Sequence, residues 1–178
     1  MPFPYFARLS RARQRIYLAS DAVTALPLPD AAALGPAVRE LERALAEESR
    51  RAAERAGQAL VDGLCRQLAL PPAAVRVLAS RPSGDYGELH GLYEPEPPPA
   101  RITVWMRTAA RGQVVAFRTF LRTLLHELLH HHDYEGLKLA ETFHTEGFFK
   151  READLARQLF LAAGLPAAAH PSRQPPAG

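Results

Sequence analysis

A chain of 178 residues, 47% hydrophobic and 23% charged, has the length and composition of one compact domain with short extra ends, large enough to bury a core without staples. The single cysteine, Cys65, excludes an internal disulfide framework and a cysteine-built zinc ribbon, and no apolar run is long enough to span a bilayer or to form a secretory signal after the Met1-Pro2-Phe3-Pro4 opening. The formal net charge of +3 is carried almost wholly by arginine, Lys138 and Lys150 being the only lysines, and so mild an excess is a weak nucleic-acid footprint. A cytoplasmic location is the expectation.

Residues 1–29 read as a basic leader, in which Arg8 to Ala25 can form a short helix ended by Pro27 and Pro29. Asp30 and Pro36 stand where a helix begins. From Val38 the apolar positions Leu41, Leu45, Ala52, Ala56, Leu60, Leu64 and Leu68 keep helical spacing, which predicts one long amphipathic helix closed by Pro71 and Pro72. Val75 to Ala79 predicts a strand, Ser83-Gly84-Asp85 a turn, and Glu88 to Tyr93 a second strand. After a proline-rich connection over 94–100, the branched and aromatic run Arg101 to Met106 predicts a third strand.

Beyond Gly112 the helical period returns with Val114, Phe117, Leu121, Leu124 and Leu128 on one stripe, and Gly136 is placed to stop the helix. A last helix is predicted from about Phe148 to Ala163, with Phe149, Ala153, Ala156, Leu159 and Phe160 inward. The Ala- and Pro-rich tail over 165–178 is expected to be disordered. The order helix, three strands, helix, helix predicts an α+β domain over 30–164.

The chemistry concentrates at His126-Glu127-Leu128-Leu129-His130. Side chains four apart on a helix stack on one face, and two imidazoles so placed reach one zinc ion (Zn2+) at about 2.0–2.1 Å each. Glu127 sits beside His126, where it can take a proton from water that the metal activates. Thr123, His126 and His130 are offset from the stripe at 117, 121, 124 and 128, so one face packs and the other presents ligands.

A catalytic zinc takes three protein ligands and keeps one position open. His144 is the choice for the third, because residues 135–139 are long enough to turn the chain back and Phe143, Phe148 and Phe149 can anchor its segment. Glu141 and Glu152 stay open as carboxylate alternatives. His131 and His132 point away from the ligand face and read as solvated or supporting residues. Asp133, one turn past His130, can orient its imidazole or lie at the surface. Tyr86, Tyr93 and Tyr134 are potential donors to a developing oxyanion. Trp105 and Met106 are expected to pack the sheet against the motif helix, His90 to lie at the surface, Cys65 to be inert and His170 to have no role.

At these residues the chain resembles the SprT-like metallopeptidases, among the compact minimal zincins. His126, Glu127 and His130 match the family's helix motif, and His144 with Gly147 and Phe148 is similar to its downstream segment. The resemblance implies a helix, three-stranded sheet, active-site helix, C-terminal helix core, and a zinc-dependent peptidase acting on protein or peptide substrates. It implies Glu127 as general base and His126, His130 and His144 as zinc ligands. Arg101 to Met106 would match the family strand that runs along the cleft edge and binds an extended peptide by strand addition. The segment Arg151-Glu152-Ala153-Asp154 also looks like that of minimal zincins using a downstream Glu. Other classes stay open: a non-catalytic zinc-binding regulatory module, or a DNA-associated protein whose basic leader binds phosphates.

Overall fold

The computed structural model describes residues 3–84 and 87–166. In chain order it contains a 3-10 turn (Pro4–Arg8), helix α1 (Arg11–Asp21), a second 3-10 turn (Ala31–Leu34), helices α2 (Gly35–Ala46) and α3 (Arg50–Gln67) and strand β1 (Ala73–Ser80). Strands β2 (Ser83–Gly84), β3 (Gly87–Glu88), β4 (Gly91–Glu94) and β5 (Ala100–Arg107) follow, then helices α4 (Phe117–Glu135) and α5 (Glu146–Ala162). Five α-helices and a three-stranded mixed sheet among the described residues make this an α+β fold, as the element order predicts. No described helix is long and apolar enough to cross a membrane.

The sheet runs β1-β5-β4, with β5 parallel to β1 and antiparallel to β4. Val75 pairs with Ile102, and Gly91 with Val104. This corrects the expectation that Arg101 to Met106 lies along an edge: it is the central strand, and β4 is an edge. The reason is burial. Ile102 to Met106 are all buried, and a strand covered on both faces belongs inside a sheet. Pleating sends alternate residues to opposite faces. Ile102, Val104 and Met106 join the core shared with α3 and α4, whereas Trp105 lies on the other face, level with Leu78 in the register. Trp105 therefore does not pack against the motif helix; Met106 does face that core.

The single long helix predicted from Val38 to Leu68 is two helices. The chain breaks at Glu47–Ser49, where Glu48 takes the left-handed φ of 54° and the Ser49 side chain caps α3 by accepting from the Ala52 N–H at 3.4 Å. The break lets α2 fold back on α3, so that Val38, Leu41 and Leu45 share one core with Ala53, Ala56, Leu60 and Leu64. Unbroken periodicity cannot reveal such a break, since both halves bury the same kind of stripe. The predicted second strand also divides: Gly87–Glu88 pairs with Ser83–Gly84, and only Gly91–Glu94 joins the sheet.

The leader is built into the domain. Its helix spans Arg11–Asp21, shorter than 8–25, and starts where the Ser10 hydroxyl accepts from the Arg13 N–H. Tyr17 and Ser20 are fully buried. Asp21 accepts from the Gly147 N–H at 2.8 Å, and a Cβ at residue 147 would stand 2.3 Å from the Asp21 carbonyl oxygen. Only glycine lets α1 end that close to α5. Leu26 and Leu28 continue along α5 through Asp154 and Gln158. At the other end, Leu165 packs on the core and donates to Phe160. Residues 167–178 of the predicted tail, His170 included, and Tyr86 lie outside the described residues.

Candidate metal centre

Helix α4 is amphipathic at the predicted period, with Phe120, Leu121, Leu124, Leu125 and Leu128 buried. That packing turns His126 and His130 to the opposite side, one turn apart. The loop 136–145 then reverses the chain and delivers His144. It ends where the Thr145 hydroxyl caps α5 by accepting from the Phe148 N–H at 2.9 Å. Phe148, fully buried, forms the floor under all three imidazoles, with ring centroids 4.9, 5.0 and 5.2 Å from those of His126, His130 and His144.

The three Nε2 atoms converge. His126 Nε2 lies 2.9 Å from His144 Nε2, which lies 3.2 Å from His130 Nε2. Two nitrogens each about 2.05 Å from one ion stand about 2.9 Å apart at a right angle and about 3.3 Å apart at a tetrahedral one. The spacing therefore fits three ligands on a single cation. Among the described residues this trio is the group of potential ligands gathered within 4.8 Å of one another.

The outer ring nitrogens of His126 and His130 are engaged behind the site. His126 Nδ1 faces Glu152 Oε2 at 3.1 Å, and Glu152 also accepts from Arg122 at 3.2 Å. His130 Nδ1 faces Thr142 Oγ1 at 2.9 Å, and Thr142 donates to Asp133 at 2.9 Å. Carboxylate support of this kind orients metal-binding imidazoles. The two carboxylate alternatives for the third ligand are thus otherwise employed. Glu152 contacts the outer nitrogen of His126, and Glu141 pairs at the surface with Arg13 at 2.8 Å.

The structure decides between the readings left open for the motif's neighbours. His131 and His132 are 1% and 6% exposed, not solvated. His131 spans from the Tyr93 hydroxyl at 3.0 Å to the Pro71 carbonyl at 2.9 Å. A carbonyl can only accept, so His131 Nε2 carries the proton and its Nδ1 accepts from Tyr93. Tyr93 is therefore committed to holding helix and sheet together, and Tyr134 stacks on its ring at 5.9 Å. Asp133 is no surface carboxylate: it is fully buried against the equally buried Arg151, 2.6 Å away. The α4 stripe is wider than its leucines alone suggest, because the sheet and α5 cover the helix on two sides.

Electrostatics suit the cluster to a cation. Burial first, then His126 and His144, pulls His130 down to about 3, and burial with His126 pulls His144 down to about 4. Both are neutral at pH 7, the form that binds metal. Glu127 is 7% exposed, and burial pushes its carboxyl up to about 7 against the pull of His126. Burial would likewise raise Glu152, but the hydrogen bond and charge of His126 with Arg122 hold it below the usual range.

Two residues that sequence reasoning passed over shape the site. A Cβ at Gly91 would lie 2.4 Å from Glu127 Oε1, so edge strand β4 lies directly on the Glu127 carboxylate. A glycine inside a predicted strand is the signal that could have marked this close approach. Thr142 gave no signal, since nothing local distinguishes a loop threonine that meets two buried groups. No family model, curated protein or solved structure matches this chain.

Proposed function

We propose that this protein is a zinc-dependent peptidase of the minimal zincin type, similar to the SprT-like enzymes, with His126, His130 and His144 as zinc ligands and Glu127 as general base. The observation that carries the reading is the convergence of three Nε2 atoms within 3.2 Å contacts beside a buried carboxylate whose pKa is raised to about 7. A zinc ion held there supplies Lewis acidity, making water nucleophilic near neutral pH and polarising a carbonyl. Glu127 takes the proton from the attacking water and returns it to the departing amine, the acid–base role open to a carboxyl placed beside such a site.

Strand β4 supports a peptide substrate in particular. Among the described residues it pairs with β5 on one side, and its Gly91 touches Glu127. An extended peptide added along the other side would pass the general base and the metal trio together. The reading is tested by metal analysis and by hydrolysis of a fluorescently labelled unfolded protein. About one zinc per chain is expected, with cleavage falling by about 10²- to 10⁴-fold in Glu127→Gln while zinc is retained. A Glu127→Gln protein that still cleaves at the wild-type rate removes Glu127 as the base, and a wild-type chain that binds no zinc removes the peptidase reading altogether.

A further inference from the structure

Counting protons behind the metal trio decides which nitrogen of His130 is protonated. Asp133 Oδ1 accepts from Arg151 at 2.6 Å, and Asp133 Oδ2 accepts from Ser20 at 3.2 Å and from Thr142 at 2.9 Å. A threonine hydroxyl has one hydrogen. Given to Asp133, it leaves the Thr142 oxygen able only to accept from His130 Nδ1, 2.9 Å away. His130 then carries its proton on Nδ1, and Nε2, the atom facing His144, keeps a free lone pair.

Geometry explains why a relay stands here instead of a direct contact. Asp133 lies three residues after His130 on α4 and is held in the buried cluster by Arg151 and Ser20. Arg151 also donates to the Ser20 carbonyl and hydroxyl at 2.6 and 3.1 Å and to the Val23 carbonyl at 3.0 Å, so the end of α1 is locked into the same cluster. Thr142 fills the space between that cluster and the imidazole. It also sits two residues before His144, on the same loop. The loop that brings the third ligand therefore also orients the second.

We propose that Thr142 is a positioning residue of the metal centre: its hydroxyl relays the Asp133 carboxylate to His130 and holds the ring in the tautomer whose Nε2 is free for zinc. The proposal rests on the zinc-site reading above. Its test compares Thr142→Val, which keeps the shape and removes the hydroxyl, with Thr142→Ser, which keeps the hydroxyl. Zinc affinity is measured by competition with a chelator, and the His130 tautomer by imidazole nitrogen chemical shifts in the metal-free protein at pH 7.5.

Expected are an affinity about 10- to 100-fold weaker in Thr142→Val, near-wild-type affinity in Thr142→Ser, and an Nδ1–H imidazole at His130 that gives way to mixed tautomers only in the valine variant. Wild-type affinity in Thr142→Val, equal losses in both variants, or an Nε2–H imidazole at His130 in the wild type each overturn the relay. Should Thr142→Val fail to fold, the tautomer in wild type and Thr142→Ser decides alone. Because that readout needs no metal, a protein without zinc affinity would sink the peptidase reading while leaving the relay separately testable.

Discussion

On the peptidase reading proposed above, replacing Gly91 by alanine should cripple hydrolysis while sparing the metal. The new Cβ would stand 2.4, 2.7 and 2.8 Å from Oε1, Cγ and Cδ of Glu127, which are its three nearest neighbours. Ordinary contact begins near 3.4 Å, so the carboxylate must withdraw by about 1 Å, a displacement able to cost about 10²-fold in rate. The obstructing atoms are the end of one flexible side chain, so the fold survives with a loss of about 1–3 kcal/mol from overpacking. No imidazole is among those nearest atoms, so zinc content stays at the wild-type level. The assay pairs zinc analysis with kcat/KM on the labelled unfolded protein, in wild-type and Glu127→Gln backgrounds. Gly91→Ala should add nothing once Glu127 is gone, because two substitutions acting on one group are not additive. Full activity in Gly91→Ala, or a further loss in the Glu127→Gln background, would refute the packing of β4 on Glu127.

Two further outcomes follow from the buried groups around the site. Arg151→Met strands the fully buried Asp133 without its 2.6 Å partner, and breaking such a pair costs about 3–5 kcal/mol. For a chain of this size the melting temperature should fall by roughly 6–20 °C, and a melt within 2 °C of wild type would show the pair to be unimportant. Glu127 also links stability to pH. Its folded pKa of about 7 exceeds the unfolded value of 4.5, so its stabilising effect is complete below 4.5 and lost as pH rises through 7, a difference of about 3 kcal/mol. Metal-free Glu127→Gln, which lacks this loss, should gain stability relative to wild type between pH 4.5 and 8 in urea titrations; a pH-independent gap contradicts the buried carboxyl.

What the sequence determined by itself was everything set by short-range geometry. Helical spacing puts His126 and His130 on one face whatever surrounds them, and the apolar stripe of α4 dictates which face is buried. The branched and aromatic run at 101–106 and the stop at Gly136 are local in the same sense, as is the α+β order. Tertiary structure decided what depends on contacts between distant segments. It made Arg101 to Met106 the central strand, since pairing order is set by which strands meet and not by any strand's own pattern. It split the helix at Glu47–Ser49, which continuous periodicity conceals. It decided between the readings left open for His131, His132 and Asp133 by burying all three, because the sheet and α5 cover α4 on two sides. It brought Gly91 onto Glu127 from 36 positions away in the chain, set Thr142 between Asp133 and His130, and drew the leader into the Arg151 cluster. A periodic pattern records whether a residue faces inward, but only the folded chain says what it meets there.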